Sequence, residues 1–100
     1  MRGAAVVSYR VKPDRAEENA ELVRAVYAEL EELQPPDFRY ATFVMEDGVS
    51  FVHIALTEGD SEAPLPQVAA FQRFRQGLAE RCEAPPQAVH LPTQIASYGL

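Results

Sequence analysis

Residues 39–56 read RYATFVMEDGVSFVHIAL, two runs rich in β-branched and aromatic residues separated by Glu46-Asp47-Gly48. Asp-Gly between such runs is a strong signal for a β-hairpin. With Asp47 and Gly48 as the two turn residues, pairing sets Val44 opposite Phe51, Thr42 opposite His53 and Tyr40 opposite Ala55 on one face. The other face carries Phe43 opposite Val52, Ala41 opposite Ile54 and Arg39 opposite Leu56. Both faces are largely apolar, so the pattern demands a cover on each side of the sheet.

Outward from the hairpin, AAVVSYRV at residues 4–11 reads as a first strand, ended by Lys12-Pro13. Asp14 followed by Glu17 resembles a capping box. Ala16, Ala20, Val23, Tyr27, Leu30 and Leu33 then recur at helical steps until Pro35-Pro36 stops them. Beyond the hairpin, TEGDSEAPLP at residues 57–66 is a loop long enough to rim a cleft. Pro66 suits the first turn of a second helix with Val68, Phe71, Phe74, Leu78 and Cys82 on one stripe and Arg73, Arg75 and Arg81 off it. Pro85-Pro86 ends that helix. Gln87 to Tyr98 is extended and interrupted at Pro92.

The order is strand, helix, strand, strand, helix, strand. Its two strand-helix-strand halves make the split βαβ arrangement of the ferredoxin-like α+β fold, a four-stranded antiparallel sheet with both helices on one face. The length of 100 residues fits one domain spanning residues 1–100. The opposite face is predicted to expose Phe51, Val44, Tyr40 and their neighbours, and a second copy of the chain, sheet to sheet, is the simplest cover.

Charge narrows the partners. A formal net charge of −6 with nine Lys and Arg argues against nucleic acid. No apolar run reaches the length of a membrane span, and Ala4 to Val7 is too short for a signal peptide, so a cytoplasmic protein is expected. Residues 14–37 hold eight carboxylates against Arg15 and Arg24, the pattern of a solvated helix face. The lone cysteine, Cys82, falls at a spacing that predicts burial.

The opening VVSYRVKPDRAEENAELVRAVY, the strand FVHIAL, the helix AFQRF and the SYG close resemble the dimeric α/β-barrel superfamily that includes the antibiotic biosynthesis monooxygenase-like domains. The resemblance implies a homodimer whose sheets close around a central cavity. Among its members it includes cofactor-free oxygenases of aromatic polyketides, haem-degrading enzymes and proteins of no known activity. The chain has no tryptophan and matches no haem-ligating histidine pattern.

For chemistry, His53 is the sharpest candidate, a general base or a hydrogen-bond partner for a phenolic ligand on the open face, beside Thr42 and between Phe51 and Tyr40. Tyr9, Tyr40 and Tyr98 offer hydroxyls on apolar bodies, as an interface or a small aromatic pocket uses them. His90 is expected to be exposed or at the dimer contact. Metal-ligand spacing, a phosphate-binding glycine loop and a nucleophile elbow are absent from the sequence, so neither metal nor cofactor is expected. The expected ligand site is therefore Tyr9, Tyr40, Thr42, Phe51 and His53. Three functions fit these residues: a homodimer that binds a small apolar or aromatic molecule between sheet and helices, a cofactor-independent monooxygenase with His53 as base, and a structural dimer with a filled interior.

Overall fold

The computed structural model describes residues 3–58 and 63–99. Strand β1 (Gly3–Arg10) leads through a 3-10 turn at Pro13–Arg15 into α1 (Ala16–Leu33), followed by β2 (Phe38–Val44) and β3 (Ser50–Thr57). A second 3-10 turn at Leu65–Gln67 precedes α2 (Ala69–Gln76), α3 (Leu78–Arg81) and β4 (Gln87–Leu91). The four strands form one antiparallel sheet in the order β2-β3-β1-β4. This is the predicted ferredoxin-like topology, with the first and third strands central.

The hairpin register is the one the sequence predicts, with Val44 opposite Phe51, Thr42 opposite His53 and Tyr40 opposite Ala55. Its turn is broader than two residues. Asp47 Oδ1 accepts the backbone N–H groups of Val49 and Ser50, each at 2.9 Å, and Gly48 takes the positive φ of 76° that its missing Cβ permits.

The faces are the reverse of the prediction. Tyr9, Phe51 and His53 are buried on the helix side: Tyr9 meets Phe74 of α2 and Asn19 of α1, His53 meets Phe74, and Phe51 stacks on Tyr9. Tyr40 and Thr42 join them on that side, where Tyr27 of α1 stacks on Tyr40 and bonds Thr42. The open face instead carries Val6, Ala41, Phe43, Val52, Ile54, Leu56, Val89 and Leu91 by the alternation of the pleat. The register holds, but pairing alone does not say which of two apolar faces the helices choose. They cover the aromatic one, where large rings bury the most area and polar tips find partners.

Three local predictions change for physical reasons. Asp14 does not cap a helix: it lies within the first 3-10 turn, and α1 begins after Arg15 without a side-chain cap. The second helix breaks at Gly77, a poor helix residue, into two short pieces. Arg81, predicted off the buried stripe, is instead 2 % exposed: it stands seven residues after the buried Phe74, about two turns on along the same helix face. The extended segment after Pro92 forms no strand with the sheet, and Tyr98 is fully exposed. Cys82 is buried as expected and bridges to Val11 at the end of β1. The predicted loop at 57–66 lies partly outside the described residues, and its last part, Ala63 to Pro66, borders the site below.

One connection between the helices has no trace in local sequence. The Glu29 carboxylate of α1 accepts the N–H groups of Ala69 at 3.1 Å and Ala70 at 2.9 Å, capping the N-terminus of α2 across the helix pair. Those donors would otherwise be orphans at a helix start, where negative charge is favoured.

Candidate functional site

Along one row of the sheet, Tyr40 pairs with Ala55, Ala55 with Ala5, and Ala5 with His90, so the row crosses all four strands on the helix side. The next row, Thr42, His53, Val7 and Ala88, lies alongside. Alanines at the middle of the first row and at the β4 end of the second leave unfilled the space that larger side chains would take. The result is a cavity of ≈ 470 Å³ roofed by Phe71, Phe74 and Leu78, with Tyr40 and His90 at its two sides. Its size is that of a small-molecule site, and its walls are chiefly apolar.

Behind His53 runs a buried chain of hydrogen bonds whose direction can be followed from one end. Arg81 Nε can only donate, and it lies 3.1 Å from Asn19 Oδ1. The other end of the Asn19 amide is therefore its nitrogen, which donates to Tyr9 Oη at 2.9 Å. The Tyr9 hydroxyl keeps its own hydrogen for His53 Nε2 at 2.7 Å. In the reverse arrangement that hydrogen has no acceptor among the described residues, a cost a buried hydroxyl does not sustain. With Nε2 accepting, the ring carries its hydrogen on Nδ1, which faces Tyr40 Oη at 2.6 Å and Thr42 Oγ1 at 3.1 Å. Tyr40 thus accepts from His53 and keeps its own hydrogen, with the Thr42 hydroxyl beside it as a partner.

Electrostatics agrees with a neutral, donor-bearing site. Burial lowers the His53 pKa from the usual 6.5 to about 4, so the ring is uncharged at neutral pH. Burial also pushes the Tyr9 and Tyr40 hydroxyls well above the usual range for a phenol, keeping both protonated. Arg81 is held by the Phe74 carbonyl at 2.6 Å and by the Phe74 ring, 5.4 Å from its guanidinium carbon. Desolvation lowers its pKa without neutralising it.

Of the five predicted site residues, the structure brings all to one side of the sheet but gives them different places. Tyr40 and His53 line the cavity. Tyr9 stands behind His53, and Thr42 beside it. Phe51 stacks on Tyr9 within the core, rings 5.5 Å apart, and does not line the cavity. His53 is not on the open face, and both of its ring nitrogens are engaged, so it is not presented as a free base. His90 is exposed and lines the cavity. Asn19 and Arg81 were missed. Asn19 had a signal: with Ala16, Val23 and Val26 it falls on the stripe that α1 buries. Among the described residues, no group of three or more His, Cys, Asp or Glu is placed to hold a metal, and no helix is long and apolar enough to cross a membrane.

Solved structures share this architecture. A candidate antibiotic biosynthesis monooxygenase from Nitrosomonas europaea superposes with a TM-score of 0.75 at 18% identity, covering 97% of this chain and 94% of that one. A conserved protein from Methanosarcina mazei does so with a TM-score of 0.73 at 15% identity, covering 94% of each chain. A variant of a cofactor-independent oxygenase from Streptomyces nogalater gives 0.68 at 14% identity, covering 99% and 98%. The chain has the fold of the antibiotic biosynthesis monooxygenase-like proteins. No family model and no curated protein sequence matches it. Fold alone does not carry an activity.

Proposed function

We propose that the chain is a cytoplasmic, homodimeric α/β-barrel protein of a single domain that binds a small, mostly apolar or aromatic molecule between sheet and helices. One observation carries the ligand reading: the row Tyr40, Ala55, Ala5, His90 opens a cavity whose wall holds a hydroxyl oriented by a neutral histidine. Apolar walls with a few fixed polar groups are what such ligands require. Titration with the neutral aromatic para-phenylbenzamide, followed by NMR, checks it. The methyl signals of Ala5 and Ala55 and the His53 ring signals move together, while those of Val52 and Ile54 on the opposite face stay in place. No movement at the alanines ends this reading.

The dimer rests on the open face. None of its residues is buried by the chain itself, and Phe43, Val89 and Leu91 are exposed by half or more of their surface or nearly so, at 58%, 54% and 48%. Within the paired strands that face carries no carboxylate, in a chain with a formal charge of −6. Two acidic copies can meet there without opposing carboxylates, the charged residues of that face within the strands being Arg10 and Arg39.

A second reading, a cofactor-independent oxygenase, is favoured by the Tyr40 to His53 bond at the cavity wall. In it Tyr40 donates to a substrate oxygen on which negative charge develops, and His53 holds Tyr40 in place rather than acting as the base. Its support outside the site is the shared fold with the Streptomyces nogalater oxygenase. Oxygen consumption with an aromatic phenol, lost in Tyr40→Phe at unchanged stability, separates it from binding alone.

A further inference from the structure

We infer that the guest of this cavity is an elongated apolar acid, its carboxylate held by Arg75 of the lining and its apolar body lying over Ala5 and Ala55. The inference rests on the ligand-binding reading above and adds the chemical class of the ligand.

Length comes from the sheet. The row from Tyr40 on β2 to His90 on β4 spans three strand spacings, about 14 Å between the outer backbones. Its two middle residues are alanines, so the floor is flat where the body of a guest would rest. Tyr40 and His90 stand at the two ends of that row, and the ring nitrogens of His53 between them are taken up by Tyr9, Tyr40 and Thr42, which fits a guest polar at its ends and apolar between them.

Charge comes from the lining. The chain has 15 Asp and Glu against nine Lys and Arg, yet no described carboxylate lines the cavity, and Arg75 is the one cationic side chain that does. Arg75 has no ion-pair partner among the described residues, whereas Arg10, Arg15 and Arg24 each have one. Its guanidinium lies 5.9 Å from the centre of the Phe71 ring, a residue of the cavity roof. The ring stacking keeps the planar fork beside the cavity, and a guanidinium matches a carboxylate with two parallel hydrogen bonds. Tyr40 presents a neutral hydroxyl to the same cavity, so it suits an uncharged oxygen.

Calorimetric titration of the full chain with para-phenylbenzoate and its neutral amide, para-phenylbenzamide, tests this. The acid is expected to bind on the order of threefold to fivefold tighter than the amide, the range of an exposed ion pair. In Arg75→Gln the acid falls to the affinity of the amide, and raising salt reduces the difference in the wild-type chain. Equal affinities in the wild-type chain overturn the anionic guest while leaving the cavity reading intact. A preference for the acid that survives in Arg75→Gln places the carboxylate elsewhere and also overturns it. Absence of binding by either compound removes both readings.

Discussion

Tyr40 and His90 occupy opposite edge strands of the sheet yet belong to one row, with only Ala55 and Ala5 between them. The cavity exists because those two positions are small. A protein that needed only a packed interior would gain from larger residues there, at about 25 cal/mol for each Å² of apolar surface removed from water. Ala55→Leu therefore separates a binding site from a structural void. The variant is expected to unfold within about 1 kcal/mol of the parent, or to be more stable, since its side chain enters open space rather than packed atoms. Binding of para-phenylbenzamide is expected to weaken by about tenfold or more. Denaturant unfolding and calorimetry measure the two quantities on the same preparation.

The bonded series from Arg81 to His53 gives a spectroscopic prediction. Tyr9→Phe removes the hydroxyl that donates to His53 Nε2 and accepts from Asn19, leaving two buried polar groups without partners. The expected cost is about 1–3 kcal/mol. With no donor facing Nε2, the ring loses the contact that selects hydrogen on Nδ1. The ¹⁵N shifts of the His53 ring are expected to report the Nδ1–H form in the parent and a mixture in the variant. A parent spectrum showing hydrogen on Nε2 would contradict the assigned direction of the whole chain of bonds.

His53 also makes stability depend on pH in a defined window. Its folded pKa of about 4 lies below the ordinary 6.5, so between these values the unfolded chain binds the proton more readily. Stability then falls as pH drops from about 6.5 toward 4, by a total on the order of 2–3 kcal/mol, and about a pH unit above 6.5 this residue's slope dies out. His53→Gln removes the contribution. Thermal unfolding between pH 5 and 7, above the range where most carboxylates titrate, is expected to show a positive slope in the parent and a flatter one in the variant.

Much of this architecture is legible before folding, and the limits of legibility are physical. Asp47-Gly48 and the period-two alternation define which residues pair, and Tyr40 opposite Ala55 already contains half of the row that makes the cavity. The same alternation leaves the choice of face open, because both sides of the hairpin are apolar. Tertiary packing against Phe74 and Asn19 makes that choice, and neither residue is near the hairpin in sequence. Arg81 is unreadable for another reason: seven residues after Phe74 it shares the buried face, but a guanidinium is placed in the interior only when partners such as Asn19 and the Phe74 carbonyl await it, and those are set by tertiary packing. Glu29 belonged in the sequence to an acidic, solvated face, and only the approach of α2 makes it a cap. Its removal in Glu29→Ala is expected to cost about 1–2 kcal/mol, a loss readable in denaturant unfolding.

The open face decides the assembly. Ile54 lies on a central strand between Ala41 of β2 and Val6 of β1, so its side chain stands in the middle of the uncovered surface. It is only partly buried within its own chain. A lysine there extends into solvent if the chain works alone, and the change is then worth a few tenths of a kcal/mol, as at other exposed positions. In a sheet-to-sheet pair related by a two-fold axis, each copy presents the new charge to the other's apolar centre, and an unpaired buried charge is not tolerated. Ile54→Lys is therefore expected to convert a dimer into a monomer at micromolar concentration with its helices retained. Light scattering coupled to size exclusion, with circular dichroism on the same fractions, measures both. A parent chain that elutes at the monomer mass of 11.1 kDa at every concentration would leave the face uncovered and refute the paired barrel.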